Sequence, residues 1–171
     1  MNKDLLTELN QFIGRASKAT YAGGGGKVDK PQRNGFKELE YTEGDWYYRD
    51  SYTGFLRSWG QEVVWYKDQP YWTCLYGGGM IEGCMNNGMA EDTFTFLKKV
   101  LSAGEKENQF QPRGPKNFND GEWSYQCEVE GDIEKFQGRE SISCSGSTLF
   151  THDFVGGLVI RQSTDLALLE P

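Results

Sequence analysis

The chain has 171 residues, 37% of them hydrophobic and 14% aromatic, enough for a packed core and too apolar for disorder. Its formal net charge of −7 and pI near 4.8 disfavour a duplex-binding surface, which normally shows a basic excess. No segment approaches the length of apolar residues that a membrane span needs, and the acid-bearing N-terminus does not read as a secretory signal. The expected setting is cytoplasmic, with Cys74, Cys84, Cys127 and Cys144 as reduced thiols in the absence of CxxC spacing. One histidine and no ligand spacing leave no metal site to expect, and no cofactor motif is present.

The first element is an amphipathic helix. Leu5, Leu6, Leu9, Phe12, Ile13 and Ala16 follow the i, i+3, i+4, i+7 spacing, with Lys3, Glu8, Gln11 and Arg15 on the other face. Next comes a tetraglycine, Gly23, Gly24, Gly25 and Gly26, followed by Lys27. The GxxxxGK[ST] phosphate loop needs a glycine where Tyr21 stands and a hydroxyl where Val28 stands, and it follows a strand, so the nucleotide reading fails. Two readings of the stretch remain: a helix stop with a flexible connection, or a close-approach loop over a pocket with Lys27 offered to an anion.

A strand is expected over Phe36–Tyr41, turning through Thr42-Glu43-Gly44. From Gly44 to Met80 the chain alternates as strands, and this segment recurs from Gly121 to Leu158. Gly44, Trp46, Tyr48 and Gly54 return as Gly121, Trp123, Tyr125 and Gly131. After one inserted residue, Gly60, Glu62, Val64, Trp72, Tyr76, Gly78 and Gly79 return as Gly138, Glu140, Ile142, Phe150, Phe154, Gly156 and Gly157. Between the copies a second helix is predicted over Glu91–Ala103, stopped by Gly104.

The expected fold class is α+β: a tandem duplication of a unit made of one helix and a three- to four-stranded antiparallel sheet, cystatin-like by analogy. The whole chain reads as one domain of two halves, about 1–85 and 86–160, with a short tail, 161–171. Trp123, Tyr125, Cys127 and Val129 are expected on one covered face, as are Trp46, Tyr48, Asp50 and Tyr52 in the first copy.

Polar residues on an apolar face are the candidates for function. Asp50 stands where the second copy has Cys127, and His152 where the first has Cys74, so each is present in one copy alone. Glu62 and Glu140 occur in both, which also fits a structural role. A three-residue loop Ser145-Gly146-Ser147 would set Glu140 opposite His152, a carboxylate–imidazole pair suited to acid–base work or to anchoring a ligand; a two-residue loop would set Glu140 opposite Thr151. Cys74 and Cys144 read as inert packing.

The stretches "ATYAGGGGKV", "LEYTEGDWYYRDSYTG", "WGQEVVWYKDQPYWTCLYGG" and "FQGRESI" resemble a bacterial family of uncharacterised domains found alone or attached to helix-turn-helix regulators. The resemblance runs from Ala19 to about Gly157 and implies no established activity. A small-molecule binding or sensing module is therefore expected, not an enzyme, with a pocket formed by the tetraglycine, Lys27, Tyr48 and Glu62. The alternatives are an enzyme using His152 with Glu140 or Asp50, and an interaction domain that forms a homodimer. Neither nucleic acid nor membrane is an expected partner.

Overall fold

The structure, a computed structural model, describes residues 3–103 and 110–162. Helix α1 spans Lys3–Ser17 and runs on into a π-helical turn, Lys18–Ala22. Strands β1 (Lys37–Glu43), β2 (Trp46–Gly54), β3 (Arg57–Tyr66) and β4 (Gln69–Met80) follow, then α2 (Asn87–Ala103), then β5 (Asn117–Asp120), β6 (Trp123–Asp132), β7 (Lys135–Cys144) and β8 (Ser147–Leu158). Helix α2 starts earlier than Glu91 because the Asn86 side chain accepts the Met89 N–H at 2.8 Å, an N-cap inside a stretch that reads as turn. The expected stop at Gly104 and most of the tail 161–171 lie outside the described residues.

The expectation of two helix-plus-sheet units in tandem is overturned. All eight strands form one antiparallel sheet in the order β1-β2-β3-β4-β8-β7-β6-β5. Strands β4 and β8, the last of each repeat, pair along nine residues from Trp72↔Leu158 to Met80↔Phe150, so no boundary separates the halves. The physical reason is the edge: a four-stranded unit ending on a long strand exposes unpaired N–H and C=O groups, and pairing the two ends satisfies both. Helix α1 covers one end of the sheet, where Phe12 packs on Tyr41 and Trp46, and α2 covers the other through Phe96 on Phe118 and Trp123. Leu9, Phe12, Trp46, Trp72, Phe150 and Val100 belong to one continuous core under both helices.

The hairpins set the register. β7 and β8 join through a two-residue turn, Ser145 and Gly146, both at positive φ (49° and 78°), with Cys144 opposite Ser147. The expected three-residue loop is therefore wrong. A β-bulge between Ile142 and Ser143 takes up one residue of β8, so Ile142 faces Phe150 and Glu140 still faces His152. The first copy does the same: Lys67 and Asp68 form the turn at φ 49° and 61°, and a bulge between Val64 and Trp65 brings Glu62 opposite Cys74. The covered face of β6 ends sooner than alternation suggests: Tyr125 and Cys127 are buried, while Val129 is 38% exposed.

The tetraglycine serves the sheet edge. Gly26 accepts the Glu40 N–H at 2.7 Å, Val28 donates to the Glu38 carbonyl at 2.9 Å, and Lys27 bridges to Leu39. A Cβ on Gly26, at φ +70°, would lie 2.5 Å from the Glu40 carbonyl oxygen. Glycine is needed there for backbone to approach backbone, which blunts the open edge of β1.

Candidate functional site

The side chains on the covered face of the sheet stand in rows across it. One row, read from the pairings, runs Asp50 (β2), Glu62 (β3), Cys74 (β4). Another runs Ser58 (β3), Gly78 (β4), His152 (β8), Glu140 (β7). Between them stand Tyr76 and Phe154, directly opposite one another on β4 and β8. Asp50, Glu62, Glu140 and His152 are all at most 6% exposed, so three carboxyl groups and an imidazole are held in the core.

Such a cluster demands a cation, because burying unpaired charge costs several kcal/mol. Arg113, from the segment leading into β5, supplies it. Its Nη1 donates to Glu62 Oε1 at 2.7 Å, and its Nε and Nη2 donate to Glu140 Oε1 at 3.1 and 3.0 Å. The guanidinium lies 4.4 Å from the Tyr76 ring centre, a cation–π contact in a desolvated setting. Tyr125 donates to Glu140 Oε2 at 2.8 Å and accepts the Gly114 N–H at 3.0 Å, which ties the Arg113 segment to the sheet. Tyr76 donates to Asp50 Oδ1 at 2.7 Å.

The carboxyl groups separate in acidity. Burial pushes Glu62 up to about 8, against the opposing pull of Arg113 and with the charges of Asp50 and Glu140 adding to the rise. Burial also raises Asp50, to about 6, although Tyr76 and Arg113 oppose it. For Glu140 burial acts in the same upward sense, but Arg113, His152 and Tyr125 together outweigh it and hold the group at about 2. Burial lowers His152 below its ordinary value despite the neighbouring Glu140. At neutral pH the pair Arg113⁺–Glu140⁻ is thus charged, and Glu62 and the imidazole are largely neutral.

His152 is fixed from both sides. Its Nε2 lies 3.1 Å from Ser58 Oγ. Its Nδ1 lies 3.4 Å from Glu140 Oε1, off the hydrogen-bond axis, so that contact is electrostatic. Both Ser58 and His152 open onto a cavity of about 340 Å³ between the sheet and α2, together with Tyr48, Asp50, Glu62 and Arg113. The α2 side of the cavity carries Phe94, Leu97 and Leu101 together with Glu91, Thr95 and Lys98, and Phe150 lines it from β8 beside His152.

The structure thus brings Asp50, Tyr48, Glu62 and His152 to one cavity, with Glu140 behind His152. It does not bring Gly23, Gly24, Gly25, Gly26 or Lys27 there; Gly26 and Lys27 stand at the β1 edge, and Gly23 and Gly25 lie against the Lys18 and Ala19 carbonyls. Sequence reading missed Arg113 and Ser58. Arg113 lies outside the repeat and in no periodic element, yet three acids on apolar faces were a signal that a cation must meet them. Cys74 and Cys127 are buried free thiols, and burial pushes both up. Among the described residues no group of three or more His, Cys, Asp or Glu side chains could hold a metal ion, and no helix is long and apolar enough to cross a membrane.

No curated protein and no solved structure matches the chain. A family match does span residues 50–159, which takes in Asp50, Ser58, Glu62, Arg113, Glu140 and His152 and leaves out the tetraglycine. The chain belongs to the family of domains of unknown function designated DUF5680.

Proposed function

We propose that this protein binds a small molecule in the cavity between α2 and the sheet. The observation that carries the reading is the combination of a space of about 340 Å³ with convergent, buried polar groups on the sheet and, from α2, the apolar Phe94, Leu97 and Leu101 among the polar Glu91, Thr95 and Lys98. That is the make-up of a ligand site: apolar walls contribute affinity, and a few fixed polar groups set orientation. The fitting ligand has an apolar body of modest size and a polar head that meets Arg113 and the carboxyl groups. The likeness to domains attached to helix-turn-helix regulators supports a sensing role, with occupancy reported through α2.

Thermal shift across a metabolite library tests this, with Thr95→Trp as the comparison. Thr95 lines the cavity from an exposed position on α2, so an indole there plugs the space with little effect on the core. A compound that raises the Tm of the wild type and not of Thr95→Trp is the expected result. Equal shifts in both proteins, or none in either, would overturn the reading.

A further inference from the structure

We propose that Ser58, His152 and Glu140 form a nucleophile–base–carboxylate triad that cleaves small carboxylic esters bound in the cavity. This rests on the cavity being a binding site and adds a covalent step to it.

The three residues occupy one row of the sheet. Glu140 faces His152, His152 faces Gly78, and Gly78 faces Ser58. Ser58 and His152 are two strands apart, and their contact at 3.1 Å needs the strand between them to carry no side chain. Gly78 meets that need: a Cβ there would stand 3.2 Å from His152 Cδ2 and 2.3 Å from the Thr151 carbonyl oxygen. The order of contacts is that of nucleophile, base and orienting carboxylate.

The repeat supplies an internal control. The matching row of the other half is Phe136, Gly156, Cys74 and Glu62. Its geometry is the same, but the serine is replaced by phenylalanine and the histidine by cysteine. There a Cβ on Gly156 would meet the Phe136 ring at 2.6 Å, and the row is closed by packing. A scaffold that needed only stability could have filled both rows that way. One half instead keeps a hydroxyl and an imidazole in contact, and both open onto the cavity.

Ser58 Oγ attacks the ester carbonyl carbon while its proton passes to His152 Nε2. The C–O bond to the alcohol breaks, and the alcohol leaves with that proton, which yields an acyl-serine. Water, the co-reactant, gives a proton to Nε2 and adds to the acyl carbon. The Ser58–acyl bond then breaks, Oγ recovers the proton, and the carboxylic acid departs. Glu140 is a positioning residue that faces the Nδ1 side of the ring throughout. The acyl groups that fit are small and apolar, to match Phe94 and Leu97 of α2 and Phe150 beside His152, which line the same cavity as the serine.

The test uses the full chain with a fluorophosphonate probe and with p-nitrophenyl butyrate. The expected result is stoichiometric phosphonylation mapped by mass spectrometry to Ser58, unchanged in Ser143→Ala and absent in Ser58→Ala. Hydrolysis should fall at least about 100-fold in His152→Gln, the usual loss when a positioned base is removed. Because His152 is buried, Ser58→Ala, at a partly exposed position, is the variant that must retain the wild-type melting curve. Failure of Ser58 to label in the wild type, or equal hydrolysis by Ser58→Ala, overturns the triad. A thermal shift of Ser58→Ala by p-nitrophenyl butyrate reads binding separately: a shift without Ser58 labelling refutes the triad and leaves the binding site standing, and no shift counts against the site itself.

Discussion

Arg113→Met is the substitution with the most to say about this fold. Arg113 donates three hydrogen bonds to two carboxylates whose side chains are 8% and 0% exposed, and it stacks on Tyr76. Methionine keeps much of the length and removes the charge. Glu140, held at about 2 against an ordinary 4.5, then loses its main counter-charge. Returning it to its ordinary value alone forfeits about 3 kcal/mol at about 1.36 kcal/mol per pKa unit. That agrees with the ~3–5 kcal/mol typical of breaking a buried pair from one side. For a chain of this size the loss corresponds to a Tm lower by roughly 6–20 °C. A depressed carboxyl contributes stability above its unfolded pKa of 4.5 and loses it as pH falls toward 2. The gap between wild type and variant is therefore full at pH 8 and narrows by about 1 kcal/mol at pH 4. Urea unfolding at the two pH values measures it. The triple variant with Glu62→Gln and Glu140→Gln should recover most of the loss, since the two carboxyl groups that Arg113 meets go with it and Asp50 keeps its Tyr76 hydrogen bond. A deficit under about 1 kcal/mol, or one equal at both pH values, would refute the charge argument.

Glu62→Gln alone should be nearly neutral at pH 4. A raised carboxyl contributes stability in full below its unfolded pKa of 4.5 and loses it as pH rises from there through about 8, so wild type should weaken against this variant between pH 4 and 9 in urea melts. Tyr76→Phe should cost about 1–2 kcal/mol by leaving Asp50 without its hydrogen bond, with a thermal melt as readout. Gly26→Ala should destabilise far more than Gly24→Ala: both glycines have positive φ, near 70°, but only at position 26 does a Cβ strike backbone. Neither should change ligand affinity, which calorimetry on the folded variants checks.

Much of the strand pattern was legible because alternation is a local property. Trp46, Tyr48, Asp50, Tyr125 and Cys127 all fell on the covered face as their spacing implied. The joining of the halves was not legible, because a chain that ends each repeat on an edge strand says nothing about which edge it will meet. The Glu140–His152 pairing came out of a wrong turn and an unforeseen bulge, which cancelled. Turn length and bulge are set together by backbone twist, and a sequence window sees only their difference. Arg113 was invisible for a different reason: its partners lie 51 and 27 residues away, and no pattern of periodicity links them.

The repeat and the β4–β8 seam together have a consequence for symmetry. Tyr76 pairs with Phe154, its own counterpart, so a pseudo-twofold axis passes between them and relates the two rows. Two copies of one half, paired through that strand, would hold two identical rows facing a shared centre. Arg113, which bridges Glu62 and its counterpart Glu140, ties the two symmetry-related positions together through a single side chain. Only two positions, Cys74 and Phe136, now separate the closed row from the open one, so the fold carries the template for a second site that it has set aside.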